Sequence, residues 1–395
     1  MRLLLIILAA VIVVGCSDEE VLPPSPLPKF KPQIQIKELW DYKIKDGIED
    51  NFILLRPAVT ENHVYVSSYE GEVAKLDRKD GDEIWEIDTE LKITGGVDAG
   101  YGVIAFGTAE GEAVALSDKD GAQLWLTKLT GQILAVPAIG PGVVVFQTYD
   151  GRLHALNRET GVVEWVYDTS VPALTLRGES SPMQIGNIVL AGFANGKLVA
   201  LDVKTGFVGW ERTIAEPQGR SELERLNDLD GRFWIDGTVV YAVNFQGALM
   251  SLDVRNGQPR WSKEMSSYTG VAEFLDKVYV VDEDSHIFAL DAVNGSEVWQ
   301  QSQLRGRRLS AATAYDRYVV AGDFEGYLHW MSYGDGSFLG RVKVDKDGLW
   351  APPIVKDDIV YAQGNSGEIA AYQVVKQRRN QNETCYGPRR KTQCR

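Results

Sequence analysis

The stretch GRLHALNRETGVVEW, residues 151–165, decides the fold because the chain repeats it. Close variants read GKLVALDVKTGFVGW at residues 196–210 and GALMSLDVRNGQPRW at residues 247–261. Each copy contains an apolar segment of strand length, then a turn that ends in glycine, then a tryptophan. Turns of this composition favour the positive φ angles of tight hairpins. The phrase therefore predicts two adjacent antiparallel strands.

The opening glycine of the phrase recurs at intervals of about 40 residues, a spacing typical of four-stranded propeller blades. It stands at Gly71, Gly111, Gly151, Gly196, Gly247, Gly326 and Gly367, and Ser285 replaces it once. Eight positions predict an all-β fold, an eight-bladed β-propeller, which we place at residues 37–375.

A tryptophan follows the hairpin glycine in six copies, at Trp85, Trp125, Trp165, Trp210, Trp261 and Trp299. A large ring at a fixed place in each unit suits the wedge between neighbouring sheets, because it buries much apolar area. The alternative is a row of exposed rings that stack on bases or sugars. The net charge of −14 argues against nucleic acid as a partner of the whole surface.

The last two copies depart from the pattern. The seventh has Gly340 where tryptophan is expected and Trp330 one strand earlier, and the eighth ends near Val375 before any turn. The stretch IKELWDYKI near the N-terminus places Trp40 in similar apolar surroundings. Pairing this stretch with the last strand would close the ring and remove its open edges, so we expect closure by the N-terminal strand.

The first 15 residues are typical of an export signal, with Arg2 ahead of an apolar core that is short for a membrane span. A small residue followed by Cys16 resembles the lipobox of bacterial lipoproteins, whose cysteine is lipidated after cleavage. The alternative is a plain signal peptide with an incidental cysteine. Ser17 favours the outer membrane, by analogy with enterobacterial sorting. The segment after the export signal is charged and proline-rich, which predicts a tether at residues 16–36, and the lipobox resemblance implies that this tether is lipidated at Cys16.

The C-terminal residues 376–395 are basic and poor in core-forming side chains, which predicts a disordered tail. Such a tail is either solvated or in contact with anionic surfaces near the membrane. An oxidising periplasm would permit a disulfide between Cys385 and Cys394, and the sequence leaves open whether it forms.

Two spacings between copies exceed the others, and each surplus lies between a tryptophan-bearing strand and the next inner strand. The surplus segments are DTSVPALTLRGESSPM and IAEPQGRSELERLNDLDGRFW. In a propeller such connectors all emerge on one face, so these two should lie side by side. Exposed leucines beside an arginine and acids are typical of a protein-binding hot spot. The candidate residues are Leu174, Leu176 and Arg177 in the first connector and Asp228 and Asp230 in the second.

The pattern ALDxxTGxxxW resembles the repeat of pyrroloquinoline-quinone (PQQ) enzymes, which are periplasmic propeller dehydrogenases. Those enzymes are longer, carry a calcium site and often have a disulfide of adjacent cysteines. This sequence has no Cys-Cys pair, and its histidines are scattered in positions where packing is a commoner role than metal binding. These histidines are His63, His154, His286 and His329. We expect no enzymatic activity, no cofactor and no metal.

The lipobox, the length, the eight units and the LTLRG segment together resemble the BamB family, the lipoprotein subunit of the outer-membrane β-barrel assembly (BAM) machinery. The resemblance implies a non-enzymatic scaffold, lipid-anchored at the periplasmic face of the outer membrane. Its implied partners are BamA, the other BAM subunits through BamA, and unfolded β-barrel precursors. The positions implied to contact the POTRA domains of BamA match Leu174, Leu176, Arg177, Asp228 and Asp230.

Several alternatives stay open at this point. The two leucines could pack within their own loop while Arg177 pairs with Asp228 or Asp230. The DLDG segment could be half of a calcium loop, although the other ligands of such a loop are absent. A PQQ-dependent dehydrogenase and a propeller that organises the envelope with another partner are the rival functions.

Overall fold

The computed structural model describes residues 23–172, 174–176, 180–214, 221, 226, 228–229 and 231–375. These residues form 32 strands in eight four-stranded antiparallel sheets. The predicted all-β, eight-bladed propeller is therefore confirmed. Within the described ranges, no helix has the length and apolarity that a membrane span requires.

The first strand is β1 (Ile36–Lys43). Each of the first four blades that follow it consists of four consecutive strands. Blade 1 contains β2 (Ala58–Val59), β3 (His63–Ser67), β4 (Glu72–Asp77) and β5 (Glu83–Asp88). Blade 2 contains β6 (Ile93–Gly100), β7 (Val103–Thr108), β8 (Glu112–Ser117) and β9 (Gln123–Lys128). Blade 3 contains β10 (Ala138–Ile139), β11 (Val143–Thr148), β12 (Arg152–Asn157) and β13 (Val163–Asp168). Blade 4 contains β14 (Met183–Ile185), β15 (Ile188–Gly192), β16 (Lys197–Asp202) and β17 (Val208–Thr213).

The second half of the ring follows the same order. Blade 5 contains β18 (Trp234–Asp236), β19 (Val239–Val243), β20 (Gly247–Asp253) and β21 (Pro259–Met265). Blade 6 contains β22 (Val271–Phe274), β23 (Lys277–Val281), β24 (Ile287–Asp291) and β25 (Glu297–Gln301). Blade 7 contains β26 (Thr313–Tyr315), β27 (Tyr318–Gly322), β28 (Tyr327–Ser332) and β29 (Phe338–Lys343). Blade 8 contains β30 (Ile354–Lys356), β31 (Ile359–Gln363) and β32 (Glu368–Val374).

Blade 8 takes its fourth strand from the N-terminus. The β1 strand runs antiparallel to β32, with Ile36 opposite Val374 and Lys43 opposite Glu368. The outer edge of β32 is thereby paired, and the first and last parts of the chain share one sheet. This is the predicted closure, and it is confirmed.

The hydrophobic core is divided into eight clusters, and each cluster lies between two neighbouring blades. Between blades 2 and 3, for example, Ala115 and Trp125 pack with Phe146 and Leu156. Burial of such apolar surface is the main favourable contribution to folding. Because each blade buries its two faces against different neighbours, the stability of every blade depends on a closed ring.

The tryptophans of the fourth strands fill the wedges between blades. The indole N–H of Trp125 donates to the carbonyl of Arg158 in the next blade at 2.9 Å. The ring covers Gly161, whose φ is +70° and where a Cβ would lie 2.7 Å from the indole. The same two contacts recur for Trp40, Trp85, Trp165, Trp210, Trp261 and Trp299. These rings are buried or half-buried, so they do not form an exposed row of stacking platforms.

The missing tryptophan of blade 7 has a physical reason. Because the fourth strand of blade 8 comes from the N-terminus, blade 8 has no hairpin glycine for such a ring to cover. The side chains of Ile34 and Ile36 instead occupy the space beside Gly340. Trp330, one strand further in, is fully buried and donates to the hydroxyl of Tyr315 at 3.1 Å.

The predicted tether differs from the structure. Part of residues 16–36 is not a free linker, because residues 23–35 lie along blade 7. Phe30 stacks on Phe338 with ring centroids 5.3 Å apart, and the amide of Gln33 donates to the carbonyl of Leu339 at 2.8 Å. The proline-rich composition predicted a free linker. It could not reveal the docking surface, because that surface is formed by residues distant in sequence. The export signal, Cys16 and residues 376–395 lie outside the described residues.

We predict that Gly161→Ala lowers the free energy of unfolding by about 1–3 kcal/mol, since it strains a positive-φ residue and displaces the Trp125 ring. Gly142→Ala is the matched control, because Gly142 lies in another turn of the same blade with no heavy atom within 4 Å of the new Cβ. Urea unfolding of the two variants measures the difference. Equal stability of the two variants would contradict the role assigned to the tryptophan–glycine contact.

Candidate partner-binding site

The ends of the strands form two faces of the ring. Because each blade is a meander, the connector to the next blade and the hairpin between its second and third strands emerge on the same face. In blade 3, for example, the amide of Thr169 in the connector donates to the carbonyl of Gly151 in that hairpin at 3.1 Å. We call this face the connector face and the other the opposite face.

The two long connectors touch on the connector face. The first joins β13 to β14 and the second joins β17 to β18. The backbone amide of Leu176 in the first donates to the carboxylate of Asp228 in the second. The side-by-side placement that the topology predicts is therefore present in the structure.

The first connector is fixed at both ends. Near its start, the amide group of Asn195 donates to the hydroxyl of Thr169 and the carbonyl of Ser170, both at 3.0 Å. Near its end, the hydroxyl of Ser180 accepts a hydrogen bond from the backbone amide of Gly192 at 3.1 Å. A hydrogen bond of 2.7 Å between the hydroxyls of Tyr149 and Thr175 holds its middle.

These attachments determine which side chains of the first connector are exposed to solvent. The side chain of Leu174 is 44% exposed, and Leu176 is half-buried beside the second connector. Tyr149, next to the connector, is also among the exposed large apolar residues. Leu174 therefore leaves much of its side chain in solvent, unlike a residue that packs fully inside its own loop.

Asp228 differs from the expectation of an exposed acid. Its side chain is fully buried, and within the described residues its Oδ1 has no hydrogen-bond partner. Burial raises its pKa to about 7, while the hydrogen bond from Leu176 acts in the opposite direction. Asp228 thus positions the Leu176 backbone and does not offer its charge to a partner. Arg177 and Asp230 lie outside the described residues, so their contacts stay predictions.

The structure adds residues that sequence reasoning missed. Leu229 is fully buried, and its amide donates to the carbonyl of Phe193 at 3.3 Å. The amide of Phe245 donates to the carbonyl of Asp228 at 3.0 Å. The sequence around Leu229 has no periodic pattern, so no sequence signal marked this residue as buried.

The described histidines have local polar neighbours. His286 and His329 each lie 2.9 Å from an aspartate oxygen, of Asp282 and Asp323 respectively. His154 lies 3.3 Å from the hydroxyl of Thr148. In the part of the chain that the structure describes, no three or more His, Cys, Asp or Glu side chains form a group that could hold a metal ion.

Comparison with known proteins identifies the family. A family model described as "Outer membrane protein assembly factor BamB" matches residues 37–90, 70–301 and 275–392. The protein of that name from Pseudomonas aeruginosa is 50% identical over 367 residues, which cover 92% of this chain and 97% of the relative. The chain belongs to the BamB family. A relative from Escherichia coli K12 is 33% identical over 377 residues, covering 92% of this chain and 96% of its own.

A comparison with solved structures supports this family assignment. The crystal structure of BamB from Moraxella catarrhalis has a TM-score of 0.79 at 26% identity and covers 86% of this chain and 100% of its own. A quinohemoprotein alcohol dehydrogenase from Pseudomonas putida HK5 has a TM-score of 0.68 at 15% identity, covering 91% of this chain and 78% of its own. The second likeness shows the fold alone. The BamB relatives carry the name of an assembly factor and not of an enzyme.

We predict that Asp228→Asn reduces the pH dependence of stability between pH 4 and pH 7. The pKa of this carboxyl is higher in the folded than in the unfolded state, so its contribution is present below pH 4 and is lost as pH rises through 7. Each pKa unit corresponds to about 1.4 kcal/mol. Urea unfolding at both ends of this range measures the change, with Asp347→Asn as an exposed control. An unaltered pH dependence in Asp228→Asn would contradict the burial argument.

Proposed function

We propose that this protein is a non-enzymatic scaffold of the outer-membrane protein assembly machinery and that it binds BamA through the POTRA domains. The binding surface is a connector patch, which we define as Leu174, Leu176 and Arg177 of the first connector with Asp230 of the second. The observation that carries the proposal is the pair of long connectors, which are joined by a hydrogen bond and leave Leu174 exposed. The family name of the relatives supplies the setting of the interaction.

The physical properties of the patch support protein binding. Its first connector is hydrogen-bonded to blade 4 near both ends, through Asn195 and Ser180, which limits the conformational entropy that the described part of the connector loses on association. Leu174 and the neighbouring Tyr149 provide exposed apolar surface, and tyrosine and arginine are enriched in interface hot spots. An apolar surface that is fixed to blade 4 in its described part suits a folded protein domain better than a small substrate.

The same proposal includes attachment to the membrane. We infer that Cys16 carries the lipid that anchors the protein at the periplasmic face of the outer membrane, because the segment before it resembles a lipobox. The other BAM subunits would then be reached through BamA. Stable attachment requires more than one acyl chain, as a modified N-terminal cysteine would supply.

Unfolded β-barrel precursors are a second class of partner that a specific feature favours. The fourth strand of each of blades 1 to 6 leaves its outer backbone edge without a strand partner in the described structure. On the outer strand of blade 2, Leu124 and Leu126 are exposed side by side on the same strand face. An open edge with apolar side chains could pair with an extended apolar segment of a precursor.

We predict that Leu176→Ala and Arg177→Ala each weaken BamA binding by about 1–3 kcal/mol, the range typical of hot-spot residues. Leu174→Ala should act in the same direction because this side chain is the most exposed of the described part of the patch. Binding of purified variants to the POTRA domains measures the effect, and thermal unfolding checks that the propeller is intact.

Val293→Ala is the matched control, because Val293 is 82% exposed in a turn on the opposite face. We expect this variant to bind as the unaltered protein does. Full binding by a folded triple variant at Leu174, Leu176 and Arg177 would show that the connector patch is not the BamA site. Absence of BamA binding by the unaltered protein would favour a propeller that organises the envelope with another partner.

A further inference from the structure

The residues between the signal region and β1 form a docked element, which we call the N-terminal strap and define as residues 23–35. Its first part is fixed by two arginines of the connector between β25 and β26. The amide of Ser25 donates to the carbonyl of Arg305 at 2.9 Å, and the Arg305 guanidinium donates to the carbonyl of Pro23 at 3.1 Å. The guanidinium of Arg307 donates to the carbonyl of Ser25 at 3.0 Å.

Arg307 forms a preorganised attachment point for the strap. It is buried, and its guanidinium also donates to Asp323 at 2.9 Å and to Glu325. The two carboxylates fix the plane of the guanidinium and direct its remaining donors toward the strap. Without the strap, the donor that reaches Ser25 would lose its partner next to a buried ion pair, which is unfavourable.

The remainder of the strap follows the outer strand of blade 7. The guanidinium of Arg341 lies 5.3 Å from the centroid of the Phe30 ring and donates to the carbonyl of Pro28 at 3.4 Å. Backbone amides of Gln33 and Ile34 donate to the carbonyl of Leu339 on β29. The strap therefore runs from the connector face to the opposite face, where β1 begins.

The exit point of the strap is set by these contacts. Arg305 and Arg307 belong to an outer-to-inner connector, so Pro23 lies at the connector face between blades 6 and 7. Cys16 precedes Pro23 by seven residues. A fully extended chain spans at most about 3.3–3.6 Å per residue, so these residues reach about 25 Å at most.

We propose that the N-terminal strap orients the propeller on the membrane, with the connector face turned toward the lipid surface. This inference rests on the proposed lipid anchor at Cys16. The lipid anchor keeps Pro23, and with it this edge of the connector face, within about 25 Å of the lipid surface. Because the strap is docked on blade 7, the same restriction applies to the whole ring. A propeller on a free tether of residues 16–36 would have no preferred face.

The reverse orientation is disfavoured by chain length. A six-residue strand such as β29 is about 20 Å long. To turn the opposite face toward the membrane, the residues before Pro23 would have to cross that height and still reach the bilayer. Nearly all of their maximal reach of about 25 Å would be used for the crossing.

The orientation complements the connector patch. The patch lies on the connector face between blades 3 and 5, whereas the strap leaves the same face between blades 6 and 7. The anchor and the patch thus occupy different sectors of one ring face. A partner embedded in the same membrane would meet the patch without competing with the anchor for space.

The test uses the full-length, lipidated protein on phospholipid vesicles that carry an acceptor dye on their headgroups. A donor dye is attached to one new cysteine, Glu110→Cys on the connector face or Val293→Cys on the opposite face, in a Cys385→Ser, Cys394→Ser background. Val293 lies on blade 6, on the same side of the ring as the strap, whereas Glu110 lies on blade 2. A difference in favour of Glu110 therefore reports the face and not the distance from the anchor.

We expect clearly more energy transfer from the Glu110 position than from the Val293 position. Insertion of about twenty Gly/Ser residues between Leu22 and Pro23 should remove most of the difference, because such a linker spans about 25 Å on average and does not alter the strap. Equal transfer from both positions, or more from Val293, in protein that is bound to vesicles would overturn the orientation. A Cys16→Ala protein that binds vesicles as well as the lipidated one would instead refute the lipid anchor.

Discussion

The antiparallel pairing of β1 with β32 is the interaction on which the rest of the structure depends. It completes blade 8 and places Trp40 over Gly81 of blade 1, so the last of the eight interblade clusters can form. Each cluster is shared by two neighbouring blades. An open ring would therefore leave each of the two blades at the gap with one of its two apolar faces in water. The same pairing explains why blade 7 lacks the fourth-strand tryptophan, since blade 8 has no hairpin glycine for such a ring to cover.

A closed ring of this kind fixes the described parts of the long connectors on one face. The first connector is attached to blade 4 through Asn195 and Ser180, and it is attached to the second connector through the hydrogen bond from Leu176 to Asp228. The blades themselves repeat one packing scheme and carry little that is specific to function. The segments that depart from the repeat, which are the two connectors and the N-terminal strap, are those to which we assign the partner and the membrane.

The repeat made the fold predictable from sequence. A glycine every 40 residues or so and a tryptophan after each hairpin indicated eight blades, and the short eighth copy indicated closure by the N-terminus. The surplus length of two spacings located the connectors. Burial within them was not predictable, because Asp228 is enclosed by distant segments and its local sequence is that of an exposed turn. The strap was missed for the same reason, since its docking site on Arg307 and Phe338 is formed by residues about 300 positions away.

The most direct test of the account is photo-crosslinking in intact cells from single positions of the lipidated protein. A photoreactive amino acid at Leu174 samples the connector patch, and one at Val293 samples a more exposed site on the opposite face. The account predicts a crosslinked product with BamA from Leu174 and none from Val293. A product from Val293 and none from Leu174, in protein that is folded and membrane-bound, would contradict it.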